Sequence, residues 1–369
     1  MKVLLVSINS IDENTGGGIY LRSLINLYKM SGVDINVISK GGKGARFTKS
    51  WISDIFGRCI LIPSYMGAFV LRILISSRKA DVIAFHSSRL GGLAWLVKSI
   101  YPCKKVIVHT DNIECDLILT IKGKGNLLKR AVSRLDAFLI PLSESVMTTK
   151  IDVVTFITKQ DEHRYEQVYG KVLIIKEILP VMINGQNVNS DFLKEDVFLF
   201  TGSFDFYPNQ EALIKLITIA DNNKRYKFFV AGRGLSEHIK VMRIELPGNI
   251  SFFSDVSTTD MDALYRRSKY FICPVSLGSG MKTKIAEALS YGLQVIAHSD
   301  STFGYEDAVE SKVVIPVNDD FFLSTSNSIM SLSCIVSFLE QQDRYLPLEV
   351  FNCHYNINSG LGKIQKVLR

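Results

Sequence analysis

The chain twice sets out the same succession: an apolar run that stops at small or polar residues, a glycine turn, and then helical periodicity. Lys2-Val3-Leu4-Leu5-Val6-Ser7 opens the first half. It leads through Thr15-Gly16-Gly17-Gly18 into Ile19, Leu21, Leu24, Ile25, Leu27 and Tyr28 at helical spacing, and then to a short run over 34–39. Val197-Phe198-Leu199-Phe200-Thr201-Gly202-Ser203 opens the second half, with Pro208 placed to begin a helix over 209–220. Such runs do not alternate apolar with polar residues, so both faces of the strand must be covered. Parallel strands with helices on either side meet that requirement. The pattern predicts an α/β fold of two Rossmann-like, doubly wound domains, with a ligand in the cleft between them.

Further strands are expected at 81–86, 105–109, 153–158 and 172–175 in the first half, and at 227–230, 250–253, 270–272, 295–297 and 312–315 in the second. Helical patterns occupy about 60–77, 90–100, 117–139, 260–268 and 359–368, while 41–58 reads as a mobile excursion. The expected domains are 1–185 and 186–340. A tail over 341–369 is expected to pack back on the first domain. A length of 369 residues suits two domains, and 47% hydrophobic with 21% charged residues argues against disorder.

The richest stretch is Cys273-Pro274-Val275-Ser276-Leu277-Gly278-Ser279-Gly280-Met281-Lys282-Thr283-Lys284-Ile285-Ala286-Glu287. A strand, a Gly-Ser-Gly turn and a helix start form an anion site, because free N–H groups and the positive end of the helix dipole face the turn. Lys282 and Lys284 add charge, and Glu287 is placed to accept hydrogen bonds from hydroxyls beside the anion. A helix start with a solvated basic face is the commoner source of this pattern, so the rest of the chain must decide. Gly16, Gly17 and Gly18 let backbone approach a ligand, but GxGxxG is absent, which disfavours a dinucleotide enzyme. His86 and His109 sit at strand ends, where histidines more often brace a loop than catalyse.

The net charge of +7 suits a phosphate-bearing ligand or an anionic membrane, and no nucleic-acid motif is present. Residues 117–139 are amphipathic, with Lys122, Lys124, Lys129, Arg130 and Arg134 among Leu and Ile; a solvated face outweighs lipid attachment there. Six scattered cysteines without CxxC spacing argue against zinc and for a reducing compartment. The start of the chain is polar too soon for a signal peptide, and the most apolar long run, 59–75, holds Pro63 and Arg72. A cytoplasmic protein is expected, soluble or peripheral on the inner face of the membrane.

With these segments in order, the second half resembles the retaining glycosyltransferases of family 4, which have the GT-B fold. The resemblance rests on Phe200-Thr201-Gly202-Ser203, Tyr207-Pro208-Asn209, Val230-Ala231-Gly232-Arg233-Gly234, and Gly278-Ser279-Gly280 through Lys284 to Gly292. The Gly16-Gly17-Gly18 stretch, Asp111-Asn112-Ile113-Glu114 and Thr158-Lys159-Gln160-Asp161 are similar to first-domain elements of that family. It implies donor binding by Gly202, Ser203, Gly232, Arg233 and Val256, and by Gly278, Ser279, Gly280, Met281, Lys282, Thr283, Lys284 and Glu287. Acceptor contacts are implied at Gly16, Gly17 and Gly18, and catalytic roles at Lys284, His109 and Asp111. The family's two glutamates lie seven residues apart. Glu287 matches the second, which meets the ribose, whereas Ser279 stands where the first, which meets the donor sugar, would be. The family's first-domain histidine aligns near Asp111 rather than His109. The arginine expected near Ser203 is replaced, with Lys282 or Arg233 able to supply its charge.

The resemblance implies transfer of a sugar from a UDP- or GDP-sugar to a saccharide or lipid-linked acceptor in cell-surface polysaccharide synthesis, with retention and without metal or other cofactor. No carboxylate nucleophile is identifiable, so front-face attack assisted by the leaving phosphate is the expected course. A nucleotide-sugar 2-epimerase and a non-catalytic nucleotide-binding subunit are the alternatives.

Overall fold

The computed structural model describes residues 1–13, 15–40, 55–58, 62–63, 65–121, 127–186, 194–242, 246–277, 280–323 and 330–369. The chain divides into two compact units, Met1–Met182 with Gly360–Arg369, and Ile183–Ser359.

In the first unit, β1 (Lys2–Ser10), β2 (Asp34–Lys40), β3 (Val82–His86), β4 (Lys105–His109), β5 (Val153–Phe156) and β6 (Ile175–Ile178) form one parallel sheet in the order β2-β1-β3-β4-β5-β6. The helices are α1 (Gly16–Met30), α2 (Val70–Lys79), α3 (Gly91–Ile100), α4 (Glu114–Ile121), α5 (Leu127–Met147) and α6 (Lys159–Tyr169). β3 and β5 are buried along their whole length, as unalternating apolar runs require. The chain steps outward from β1 to β2 and then returns across β1 to β3. Connections therefore leave in opposite directions at the carboxyl ends of β1 and β3, which opens a crevice there.

The second unit repeats the plan. Its strands are β7 (Glu195–Thr201), β8 (Lys227–Gly232), β9 (Ile250–Ser254), β10 (Ser268–Cys273), β11 (Gln294–His298) and β12 (Val314–Val317), all parallel in the order β12-β11-β10-β7-β8-β9. The helices are α7 (Tyr207–Asn222), α8 (Leu235–Met242), α9 (Thr258–Arg267), α10 (Thr283–Ser290), α11 (Glu306–Glu310), α12 (Asp319–Phe322), α13 (Leu332–Leu339) and α14 (Leu346–His354). Here the direction reverses between β7 and β10.

Several sequence expectations are corrected. Gly16, Gly17 and Gly18 are the first turn of α1, not a loop, because the Thr15 hydroxyl accepts the Gly18 N–H at 3.2 Å and caps the helix. Gly18 itself has no room for a side chain, since a Cβ there would come within 2.1 Å of the Glu13 carbonyl oxygen. The pattern over 60–77 becomes a short 3-10 turn, Tyr65–Phe69, and then α2. The helix expected over 117–139 is two helices, and the intervening Lys122 and Lys124 lie outside the described residues. β6 starts at Ile175, later than expected, leaving Leu173 exposed. Most of the excursion at 41–58 and the connection at 187–193 also lie outside the described residues. The tail is split: α14 packs on α10 and α11, while the last helix, Leu361–Leu368, packs on α1 and β6. Among the described residues no helix is long and apolar enough to cross a membrane.

Candidate active site

The reversal between β7 and β10 is where the predicted nucleotide-side residues gather. β7 ends at Thr201 and turns at Gly202-Ser203, while β8 ends at Gly232 and continues into Arg233-Gly234. The two turns touch backbone to backbone. Gly232 has φ +155°, and a Cβ on it would fall 1.7 Å from the Gly202 carbonyl oxygen, so only glycine fits. Arg233 reaches across, donating from Nε to Asp205 at 2.9 Å and from the guanidinium to the Ser203 hydroxyl at 3.2 Å. It thus brings a cation to the Ser203 turn. Val256 lies just beyond β9, on the loop into α9, next to Asp255, whose amide donates to the Gly232 carbonyl at 3.0 Å and whose Oδ1 accepts the Gly234 N–H at 3.1 Å.

α10 enters beside them. Lys282 holds its N-cap position without a capping hydrogen bond from its own side chain, so amides of the first turn are open to another partner as far as the described residues go. Tyr305 ties this corner down, donating to the Lys282 carbonyl at 2.8 Å and accepting the Ala286 N–H at 3.0 Å. Met281 is buried, Gly280 has φ +76°, and Thr283 is the first helical residue. Gly278 and Ser279 lie outside the described residues.

Lys284 donates to Asn209 Oδ1 at 2.8 Å and lies over the Phe200 ring, 4.9 Å from its centroid. Asn209 in turn donates to the Ser203 carbonyl at 2.8 Å, coupling the lysine to the β7 turn. Burial lowers the Lys284 pKa, since desolvation disfavours its charge. One turn on, Glu287 accepts from the Tyr265 hydroxyl at 3.0 Å, and Tyr265 also meets the Thr201 hydroxyl at 2.9 Å. Burial raises the Glu287 pKa; the Tyr265 hydrogen bond and the Lys284 charge oppose the rise. A lysine and a carboxylate are therefore held one helical turn apart at a helix start, each on its own neutral partner.

In the first unit the predicted residues part company. His109 is fully buried with both ring nitrogens engaged, one 2.8 Å from the Tyr28 hydroxyl and the other 2.8 Å from the Thr155 hydroxyl. Burial pushes its pKa down to about 3. It braces the sheet and offers nothing to a substrate, so a catalytic role for His109 is not carried by this geometry. Asp111 differs: its Oδ1 is buried without a hydrogen-bond partner, and Oδ2 lies 3.9 Å from His86 Nε2, which also lacks one. Burial pushes the Asp111 pKa up to about 7 and His86 down to about 3. Ser87, between β3 and the next turn, has φ +91°, a strained conformation for a residue with a side chain. Arg89 adds another buried orphan in Nε, although its terminal nitrogen holds Glu114 at 2.7 Å. Orphaned polar groups and backbone strain thus collect at the carboxyl ends of β3 and β4. Gly16, Gly17 and Gly18 belong to α1, and Asn9 lies against Gly17.

Sequence reasoning missed Asn209's grip on Lys284, Tyr265, Tyr305, and the pairing of Asp111 with His86. Asn209 had a signal, since it follows the helix-starting Pro208. Tyr265 had none, because its link to Glu287 exists only once α9 and α10 pack around β7. A shallow surface hollow of about 400 Å³ along α13, lined by Ser333, Cys334, Ser337, Phe338 and Gln341, is unrelated. α13 is tied at Leu339 to the first residue of β11, at the opposite end of the sheet.

Comparison with known proteins places this geometry. The fold is the GT-B glycosyltransferase fold. Anabaena Alr3699/HepE solved with UDP superposes with a TM-score of 0.65 at 11% identity, over 100% of this chain and 99% of that one. A glycosyltransferase from Rickettsia africae does so at 0.65 and 13%, over 100% and 98%. The Anabaena protein has also been solved with UDP-glucose, where the TM-score is 0.62 at 12% identity, over 100% and 99%. Residues 195–328 match the family described as glycosyl transferases group 1, a span that takes in every strand of the second unit. A Campylobacter jejuni protein, GalNAc-alpha-(1->4)-GalNAc-alpha-(1->3)-diNAcBac-PP-undecaprenol alpha-1,4-N-acetyl-D-galactosaminyltransferase, is 27% identical over 152 residues. That match takes in 40% of this chain and 41% of the relative, less than half the length of either.

Proposed function

We propose that the protein is a retaining glycosyltransferase that moves a sugar from a nucleotide-sugar to a hydroxyl of a saccharide or lipid-linked acceptor, at the inner face of a membrane during cell-surface polysaccharide synthesis. The observation that carries this is the pairing of Lys284 and Glu287 at the start of α10, beside the Gly202-Ser203 turn that Arg233 covers. The diphosphate sits on the first amides of α10 with Lys284 and Arg233 as cations, and the ribose hydroxyls meet Glu287. A UDP-sugar is the first donor to test, because a protein of the same fold is known with UDP and UDP-glucose. The undecaprenol-diphosphate glycan in the Campylobacter name supports a lipid-linked acceptor.

The chemical demand is departure of the nucleoside diphosphate. Donors already aimed at the phosphate oxygens stabilise charge that builds as the glycosidic bond breaks, and that lowers the barrier more than it tightens ground-state binding. The acceptor hydroxyl then adds on the same face, passing its proton to the departing phosphate. On this reading Asp111, paired with His86, orients the acceptor, and the transfer needs no metal. A chelator should leave the rate unchanged. The deciding experiment is a thermal-shift screen of UDP, GDP and their sugars followed by product analysis with and without acceptor. At a hundredfold excess over Kd a nucleotide adds ~2.7 kcal/mol to the stability of the folded protein. Stabilisation with sugar transfer supports the proposal, donor conversion without acceptor would indicate epimerisation, and absence of any nucleotide effect refutes donor binding.

A further inference from the structure

α3 packs on both α2 and α5, so the three form one helical layer over the first unit's sheet. The outer side of this layer is unusual. Leu71 and Ile75 on α2, and Leu135, Phe138 and Leu142 on α5, project into solvent, with Leu71 72% and Phe138 68% exposed. Their spacings of three, four and seven residues put each set on one helix face. The remaining exposed large side chains of α2 and the first half of α5 are basic: Arg72, Arg78, Lys79, Arg130 and Arg134. α2 and α3 contain no acidic residue at all, and the two in α5, Asp136 and Glu144, are buried. Asp136 is held by Arg58 at 2.7 Å, which seats the exposed Ile55 and Phe56 beside the same layer.

We propose that the α2–α3–α5 layer is the surface by which the protein docks on an anionic phospholipid bilayer. This rests on the reading that the protein works at a membrane, and it names the face responsible. Apolar side chains interleaved with cations and free of acids match lipid chains under an anionic headgroup layer. A second copy of the chain fits worse. A two-fold contact through this face would set arginines against arginines with no exposed carboxylate on these three helices to meet them.

The test is co-sedimentation of the full chain with phosphatidylcholine vesicles, with and without phosphatidylglycerol, at low and raised salt. Binding is expected only to the anionic vesicles and should weaken as salt rises. Arg78→Gln with Arg134→Gln should lower partitioning by about five-fold per arginine, from the ~1 kcal/mol each contributes near an anionic surface. Leu71→Ser with Phe138→Ser should lower it by at least tenfold at an unchanged melting temperature, since both side chains are exposed. Failure to bind anionic vesicles would overturn both the face and the membrane reading. Binding that neither double variant weakens would overturn the face and leave the membrane reading standing. A dimer without vesicles that Leu71→Ser with Phe138→Ser dissolves would instead make this face a self-contact. None of these outcomes depends on sugar transfer.

Discussion

Asp111→Asn should make the protein more stable and less active, and the two effects can be measured apart. Asp111 is 9% exposed, with Oδ1 unpartnered and the nearest histidine nitrogen 3.9 Å from Oδ2. Burial, reinforced by the neighbouring Glu114, raises its pKa from 3.8 to about 7, although Arg89 and two backbone amides pull the other way. In the unfolded chain the same group ionises near its ordinary value. Below about pH 4 both states hold the proton and folding is unaffected. Between about pH 4 and 7 the unfolded chain releases the proton while the native state keeps it, so native stability is lost as pH rises; above about 7 the loss is complete and constant. The difference between 3.8 and about 7, at ~1.4 kcal/mol for each tenfold change in the ionisation constant, puts the ceiling of that loss at roughly 4 kcal/mol. Asparagine keeps the shape and does not ionise. Urea unfolding, followed on the transition of the first unit, should show the variant ahead by up to that amount at about pH 8, with the gap closing towards pH 4. The same variant should lose kcat/KM if Asp111 orients the acceptor. Coincident curves at about pH 8, or a gap that does not change with pH, would refute the account of a costly buried carboxylate.

Lys284→Ala should lower kcat/KM at least tenfold with the melting temperature nearly unchanged; near-parental turnover would remove this lysine from the mechanism. Tyr265→Phe deletes the hydroxyl that supports Glu287 and Thr201. Loss of a hydrogen bond to a carboxylate, ~1.5–3 kcal/mol, should weaken nucleoside diphosphate binding ten- to a hundredfold, most at acidic pH where Glu287 gains its proton sooner, as calorimetry across pH would show. Gly232→Ala places a methyl group 1.7 Å from the Gly202 carbonyl oxygen in a left-handed region of backbone, so it should destabilise the second unit by well over ~1 kcal/mol in denaturant unfolding.

The two parallel sheets were legible because buried strands are written as unbroken apolar runs. Val197 to Phe200 and Tyr270 to Cys273 have no other means of being covered. The start of α10 was legible too, because a glycine turn before a helix is a local feature. What sequence could not show was selection among like residues. His86 and His109 both end parallel strands, one residue opposite the other in register. Only packing decides that His109 is closed off by Tyr28 and Thr155 while His86 keeps a nitrogen facing Asp111. The triple glycine misled for a related reason. Glycine suggests a loop by its conformational freedom, yet here Thr15 caps it and the Glu13 carbonyl leaves no space for a larger residue at Gly18.

Where the chain departs from what stability alone would choose is itself informative. Lys284 is desolvated against Phe200 and rests on a neutral amide, Glu287 leans on a neutral phenol, and Asp111 is buried without full hydrogen bonding. Arg58 with Asp136, and Lys215 with Glu211 and Asp319, show buried charges on opposite partners. Glu144, by contrast, is buried on Ser88, Tyr169 and the Glu114 and Cys115 amides beside the ends of β3 and β4, and so joins the carboxylates held by neutral groups. The contrast matters, because a buried charge left on neutral partners costs free energy that an ion pair would recover. In the second unit the departures fall at the carboxyl ends of β7 and β10, and in the first unit at those of β3 and β4, the ends where open α/β sheets leave room for a ligand. A diphosphate on Lys284 would satisfy a cation that the empty protein holds at a cost. Nucleotide binding should therefore raise the Lys284 pKa, with proton uptake appearing at the pH where the lysine of the empty protein has begun to lose its proton. Calorimetry in buffers of different ionisation enthalpy would detect that uptake, and Lys284→Ala should abolish it. Uptake that persists in the variant would assign the proton to another group and leave the desolvated lysine without a role in holding the diphosphate.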